Sequence, residues 1–217
     1  REIRRDFDRD TKLPSSLVAE LAVVSSGAKL AWSQARSAND FSQFAPHLQK
    51  IVDLNRQKAA CFGWADDGEP WDALADGFEP GCTAKLVEGV FTPLRERLVS
   101  LVDRLMGAPT SPSNRFNELT LPIEAQQRFV HHVLRAIGFD FDRGRLDLST
   151  HPFCSGNHPA DVRMTTRFQD HFVNDALGST MHEAGHGMYE QGLRDDDRFT
   201  PMGNAISLGI HESQSRM

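Results

Sequence analysis

The stretch Met181-His182-Glu183-Ala184-Gly185-His186-Gly187 constrains this chain more than any other. Two histidines four positions apart, with a glutamate directly after the first, form an H-E-x-x-H pattern. On an α-helix of 3.6 residues per turn the imidazoles stand about one turn apart and about 40° apart around the axis, so both can reach one metal ion. Glu183 projects from the flank of that face, where it can take a proton from a polarised water without being a ligand. The plain alternative is a solvated helix with two unrelated histidines. Against it, Val173, Leu177, Thr180, Met181, Ala184 and Met188 form one stripe at helical spacing. Gly185 and Gly187 lie inside the same helix, where each costs about 1 kcal/mol relative to alanine. That cost predicts another backbone or a substrate at close approach.

A catalytic zinc takes three protein ligands and keeps one position open. A histidine in the H-E-x-x-H-x-x-G-x-x-H style is ruled out, because Tyr189 stands where the glycine belongs and Gly192 where the histidine belongs. Glu190 lies two turns beyond His182, too far along the helix to close on the same ion. Asp195, Asp196 and Asp197 are candidates, although a charge run after a helix-ending Gly192 reads as a solvated loop. Glu212 sits in Ile206-Ser207-Leu208-Gly209-Ile210-His211-Glu212-Ser213-Gln214-Ser215, which reads as a second helix. A carboxylate brought in on that helix makes a His, His, Glu zinc site; a purely structural Glu212 is the alternative.

The pairing of His182-Glu183-Ala184-Gly185-His186 with His211-Glu212-Ser213-Gln214-Ser215 resembles the thermostable carboxypeptidase Taq family of metallocarboxypeptidases. Two further family motifs stand upstream in order: His151-Pro152-Phe153, and Asp161-Val162-Arg163-Met164-Thr165 matching D-x-R-x-T. The helical region around Asn39-Asp40-Phe41 to Pro46-His47-Leu48 is similar in character. The resemblance covers nearly the whole chain but not the whole family protein, which carries G-x-x-Q-D-x-H-W and I-R-x-x-A-D motifs after the third ligand. The chain is therefore expected to be an internal piece of a longer enzyme, inactive on its own. The resemblance implies a helical zincin-like fold, zinc or cobalt as the ion, peptides with a free C-terminus as substrates, broad specificity, a cytoplasmic setting and a homodimer. It also draws Asp161, Arg163 and His151 toward the substrate.

Composition narrows the remaining classes. A chain of 217 residues can bury a sizeable core and reads as one domain or a large piece of one. A net charge of −6 carries no nucleic-acid footprint. No apolar run has membrane-spanning length. Three cysteines, Cys61, Cys82 and Cys154, without C-x-x-C spacing, predict no disulfide framework and fit a reducing compartment.

The expected architecture is mainly α, with residues 1–138 helical and 139–217 forming a small sheet and the metal-binding helices. The mixed charges of Arg1 to Asp6 predict a salt-bridged surface helix. Pro14 opens a helix with Leu17, Leu21, Val24, Ala28 and Trp32 as its stripe. A second helix runs from about Phe41 with Phe44, Leu48, Ile51 and Val52 buried. Gly63 to Gly81 reads as a loop with a turn near Trp71. A third helix from Thr83 carries Leu86, Val87, Val90, Leu94, Leu98, Leu101 and Leu105, with Pro93 predicting a kink or an interruption. Pro109 to Asn117 reads as a linker, and a fourth helix runs from Pro122 to Gly138. The alternation of Phe139-Asp140-Phe141 and Leu146-Asp147-Leu148 about Asp142-Arg143-Gly144 predicts a β-hairpin. Val162 to Phe168 predicts a third strand with Asp161, Arg163 and Thr165 on one face.

Single residues carry two readings each. Arg163 can grip a free carboxylate with its guanidinium fork, or pair with Asp161 two residues away. His211 can stabilise an oxyanion, or buttress a ligand. His151 and His158 flank a loop, Pro152 to Pro159, that can line a cleft, with His158 the more ordinary loop residue. His131 and His132 lack partners at ligand spacing and read as structural. Together these predict zinc on His182, His186 and Glu212, with Glu183 as the base in hydrolysis of the last peptide bond. The rivals are a thermolysin-type endopeptidase and a non-catalytic helical module with a structural metal site.

Overall fold

The computed structural model describes residues 2–111, 113, 115, 119–170 and 173–216. Part of the linker expected at 109–117, the ends Arg1 and Met217, and the side chain of Val173 lie outside those residues. The chain divides into two compact units, Arg1–Ser100 and Leu101–Met217.

The first unit is helical: α1 (Glu2–Asp10), α2 (Ser15–Ala38), α3 (Ala45–Phe62), α4 (Pro70–Ala75) and most of α5 (Ala84–Met106). The predicted surface helix α1 carries the Arg4–Asp8 pair at 2.8 Å, while Arg5 and Arg9 reach Asp76 at 2.7 and 3.2 Å. Pro14 is the residue before α2, and Leu17 and Ala28 of the predicted stripe are buried. Asn39 ends α2 in the left-handed region at φ 51°, and the Asp40 carboxylate accepts from Ser42 N at 3.0 Å.

Two expectations fail in this unit. The buried side chains of α3 are Leu54, Ala59 and Phe62, while Leu48 and Val52 are exposed. Burial on α3 concentrates at its C-terminal end, where Ala59 and Phe62 cluster with Ala73 of α4 and with Leu13. Within Gly63 to Gly81 stands a helix, α4, rather than a simple turn. Pro70 occupies its first turn, and Asp72 binds both Glu69 N (3.1 Å) and Ala84 N (2.7 Å). A Gly-, Pro- and Asp-rich segment thus folds around one bridging carboxylate. α5 runs through Pro93 without interruption, and Leu86, Val90, Leu94 and Leu98 of its apolar stripe are exposed.

The second unit holds α6 (Ile123–Ile137), β1 (Gly144–Leu148), β2 (Phe153–His158), β3 (Asp161–Thr166), α7 (Val173–Gln191) and α8 (Leu208–Gln214). Although the sequence groups α6 with region 1–138, α6 packs on α7 and gives Val130 and Leu134 to the main core. Phe139, Val162, Met164 and Ala184 complete that core. Gly138 ends α6 with φ 104°. The fold is mainly helical, with a three-stranded sheet beside the H-E-x-x-H helix, as expected.

The sheet itself differs from the expected hairpin. Its order is β1-β3-β2, with β1 parallel and β2 antiparallel to β3. Residues 139–143 form no strand: Phe139 N bonds back to Leu134 O of α6, Arg143 N to Asp140 O, and the backbone of Asp140 is held by Gln191 of α7. Gln191 Nε2 donates to Asp140 O (2.7 Å), and Gln191 Oε1 accepts from Asp140 N (3.1 Å). Arg143 adds a bond to Gln191 O at 2.8 Å. Phe139 is buried in the core instead of alternating along a strand. The hairpin is β2–β3, and β3 ends at Thr166 rather than Phe168.

Among the described residues no helix is long and apolar enough to cross a membrane. All three cysteines are unbridged. Leu134 is 1% exposed at the centre of the second unit. Its replacement by alanine should cost about 2–5 kcal/mol of stability, whereas Arg4→Ala on exposed α1 should cost less than about 1 kcal/mol. Urea unfolding of both variants measures the difference.

Candidate metal and active site

Small residues decide how α7 can be approached. A Cβ on Gly185 would collide with the backbone of Gln214 and lie 2.6 Å from Ser215 Cα. One on Gly187 would lie 2.8 Å from the Phe139 ring and 3.0 Å from Met164 Sδ. One glycine therefore admits α8, and the other admits the core residues beside the sheet. Thr180 is fully buried and ties α7 to β3 through Thr166 Oγ1 at 2.8 Å.

This packing brings together the three predicted ligands. Ligand atoms of His182, His186 and Glu212 all lie within 4.8 Å of one another. His182 Nε2 and His186 Nε2 are 3.3 Å apart, and Glu212 oxygens stand 3.9 and 3.8 Å from them. Tetrahedral ligands at zinc-to-nitrogen distances of about 2.0–2.1 Å are themselves separated by about 3.3 Å, so the residues fit such an ion with a small movement of Glu212. Asp196 stays outside the cluster, and Asp195 and Asp197 pair instead with His158 (3.0 Å) and Arg194 (3.0 Å).

Glu183 is 7% exposed and contributes no ligand atom to the cluster. Burial, and secondarily the nearby negative charge of Glu212, push its pKa up to about 7. Its proton affinity is thus poised for transfer near neutrality. Cys154 on β2 belongs to the same surroundings: burial and then Glu183 push its thiol up to about 12, so it stays protonated.

His211 stands behind the ligands. Its Nδ1 lies 2.6 Å from His186 Nδ1, and its Nε2 lies 2.8 Å from Glu190 Oε1. The rings of His186 and His211 stack at 4.6 Å. Both nitrogens of His211 are thus engaged, the contacts that its buttressing reading calls for. Burial, and then His211, lower the pKa of His186, which favours the neutral imidazole that a metal requires. Glu190 is not a ligand, as its distance along α7 implies, yet its carboxylate contacts the site through His211. Its spacing of one turn beyond His186 on the same face was the signal for that contact.

The other predicted residues lie apart from this cluster. Even-numbered residues of β3, Val162, Met164 and Thr166, face the core and α7. Strand alternation therefore turns Asp161 and Arg163 to the opposite face. There the Arg163 fork donates to both Asp161 oxygens at 2.9 Å, which is the ion-pair alternative. His151 is exposed just before β2, where its carbonyl accepts from Ser149 Oγ. Of the two structural histidines, His131 stacks on Phe141 at 4.8 Å.

The whole chain, residues 1–217, matches the family of carboxypeptidase Taq (M32) metallopeptidases. It is 41% identical to thermostable carboxypeptidase 1 of Thermus thermophilus, covering all of this chain and 44% of that protein. It is 34% identical to carboxypeptidase 1 of Bacillus subtilis, covering 98% of this chain and 42% of the relative. The crystal structure of the M32 carboxypeptidase from Deinococcus radiodurans superposes with a TM-score of 0.85 at 41% identity, covering 98% of this chain and 42% of that one. The chain thus spans less than half the length of these relatives.

Two outcomes are expected from this geometry. Gly185→Ala should push α8 away from α7 and weaken zinc binding, as read by competition with a chromophoric chelator. In the metal-free protein, Glu183 binds its proton more tightly folded than unfolded, so its contribution to stability is full below its ordinary pKa of 4.5 and is lost as pH rises through about 7. Urea midpoints across that window should fall with pH, and Glu183→Gln should flatten the fall.

Proposed function

Since the chain belongs to the carboxypeptidase Taq (M32) metallopeptidase family, we propose that it carries the metal centre of an enzyme that releases C-terminal residues from peptides. The observation that carries this reading is the convergence of His182, His186 and Glu212, with a buried, proton-hungry Glu183 beside them. Zinc, with cobalt as a possible substitute, is the ion we assign to these ligands, and it would supply Lewis acidity toward a water and the scissile carbonyl. Glu183 accepts the proton of the attacking water. It then hands that proton to the nitrogen of the departing amino acid as the C–N bond breaks. His182 and His186 present Nε2 toward the centre, while Glu212 closes it from α8.

The substrate in this reading is a peptide with a free C-terminal carboxylate. Among the described residues β2 is an edge strand of the sheet, and it packs against α7, so an extended chain can add to that edge beside the ligands. Arg163 and Asp161 pair with each other on the opposite face of the sheet. Assembly as a homodimer and a cytoplasmic setting belong to the same proposal and rest on the family alone.

In the full-length protein, Glu183→Gln should abolish hydrolysis while leaving zinc stoichiometry near one. Glutamine keeps the shape of the side chain and loses its basicity. Peptides with free and amidated C-termini, compared by mass spectrometry, separate the carboxypeptidase from an endopeptidase, which would cleave both. A metal-replete protein that cleaves neither would make the site structural.

A further inference from the structure

Glu190 and His211 serve no ligand position, yet they form a continuous line to one ligand. Glu190 Oε1 lies 2.8 Å from His211 Nε2, and His211 Nδ1 lies 2.6 Å from His186 Nδ1. Both are shielded: their side chains are only 18% and 17% exposed. His186 Nε2 is the atom left facing His182 and Glu212.

We propose that Glu190 is a positioning residue that, acting through His211, holds His186 in the tautomer whose Nε2 is free to bind metal. The proposal rests on the reading that His182, His186 and Glu212 hold an ion. Its logic follows from which groups can donate. An ionised carboxylate only accepts, so Glu190 requires a proton on His211 Nε2. With that one proton on Nε2, the neutral form of His211 offers Nδ1 as an acceptor, which takes a hydrogen bond from His186 Nδ1. A neutral imidazole carries one N–H, so His186 Nε2 is left with its lone pair toward the ligand cluster. Reversing every bond would protonate His186 Nε2 and block the site. The carboxylate sets the direction of the line, and a group able to both donate and accept would not.

The surroundings preserve this arrangement. A Cβ on Gly156 of β2 would strike the Glu190 carboxyl group, with Cδ at 2.8 Å and Cγ at 2.9 Å. The missing side chain at Gly156 is thus the space in which Glu190 reaches His211. Tyr189 closes over His211 with ring centroids 4.8 Å apart. His186, Tyr189 and Glu190 lie on α7, so the two ends of the line keep a fixed spacing, and His211 reaches between them from α8.

The test measures zinc affinity by chelator competition, and the visible absorption bands of the cobalt-substituted full-length protein, for wild type, Glu190→Gln, His211→Gln and the double variant. Loss of a group that orients a metal-bound histidine should weaken affinity about 10–100-fold. The proposal predicts such a loss in each single variant, with cobalt bands shifted and no further loss in the double variant. Metal-free melting temperatures should stay within a few degrees of wild type. Gly156→Ala, which leaves Glu190 in the chain but displaces it, should produce a loss of the same kind. Affinity within about twofold of wild type for Glu190→Gln, or losses that add in the double variant, would overturn it. A wild-type protein that binds no stoichiometric zinc would overturn the metal-site reading itself, whereas normal wild-type binding with unaffected variants would remove this inference alone.

Discussion

Contact between the backbone of α8 and the bare face of α7 at Gly185 is the constraint on which the site depends. Two of the proposed ligands and the proposed base come from α7, so a single helix fixes their mutual geometry by its pitch alone. The third ligand must arrive from elsewhere, and Glu212 closes the cluster only because α8 approaches to backbone distance. Gly187 does the same on its own side, where Phe139 and Met164 fill the volume a side chain would occupy. Interior glycines weaken an isolated helix by about 1 kcal/mol each, and here that cost is offset by core packing and by completion of the ligand set.

The same packing creates the electrostatics. Glu183 is buried on the helix face turned toward the core and β2, and its charged form loses water without gaining a cationic partner in the metal-free state. Glu212, brought near by the close approach of α8, adds a like charge. Both effects raise proton affinity and both would be opposed by a divalent cation between the groups. The site is therefore strained electrostatically in the direction that a metal relieves. Ion binding and the charge state of the base are coupled in this way.

The metal site was legible in the sequence because helical spacing translates directly into geometry. His182 and His186 share a face by arithmetic, and the two interior glycines signalled close approach before the contacting element was known. Glu212 was legible because it falls on a segment with its own helical pattern. The small sheet was misread for a specific reason. Phe139-Asp140-Phe141 alternates like a strand, but alternation says nothing about where the backbone bonds go, and Gln191 claims those of Asp140. The exposed stripe of α5 makes a related point: a periodic apolar face marks the helix, while its burial depends on what else is present to cover it. Arg163 was ambiguous for a third reason. A fork beside an aspartate on one strand face satisfies both readings until strand alternation assigns that face away from α7.

Glu190 illustrates how a residue can be excluded correctly and still be underestimated. Its distance along α7 rules it out as a ligand of the same ion, and that geometry holds. Yet residues one turn past a ligand on the same face are well placed to meet whatever packs over that ligand's outer nitrogen. In this fold the packing element is α8, and its His211 stands one residue before the ligand Glu212. Adjacent residues on a helix point about 100° apart, so one can face the cluster while the other reaches behind His186. A single short helix thus closes the ligand set and supplies the brace at once. The approach that Gly185 permits therefore governs both where Glu212 sits and how His186 is oriented, which ties the two halves of the site to one contact.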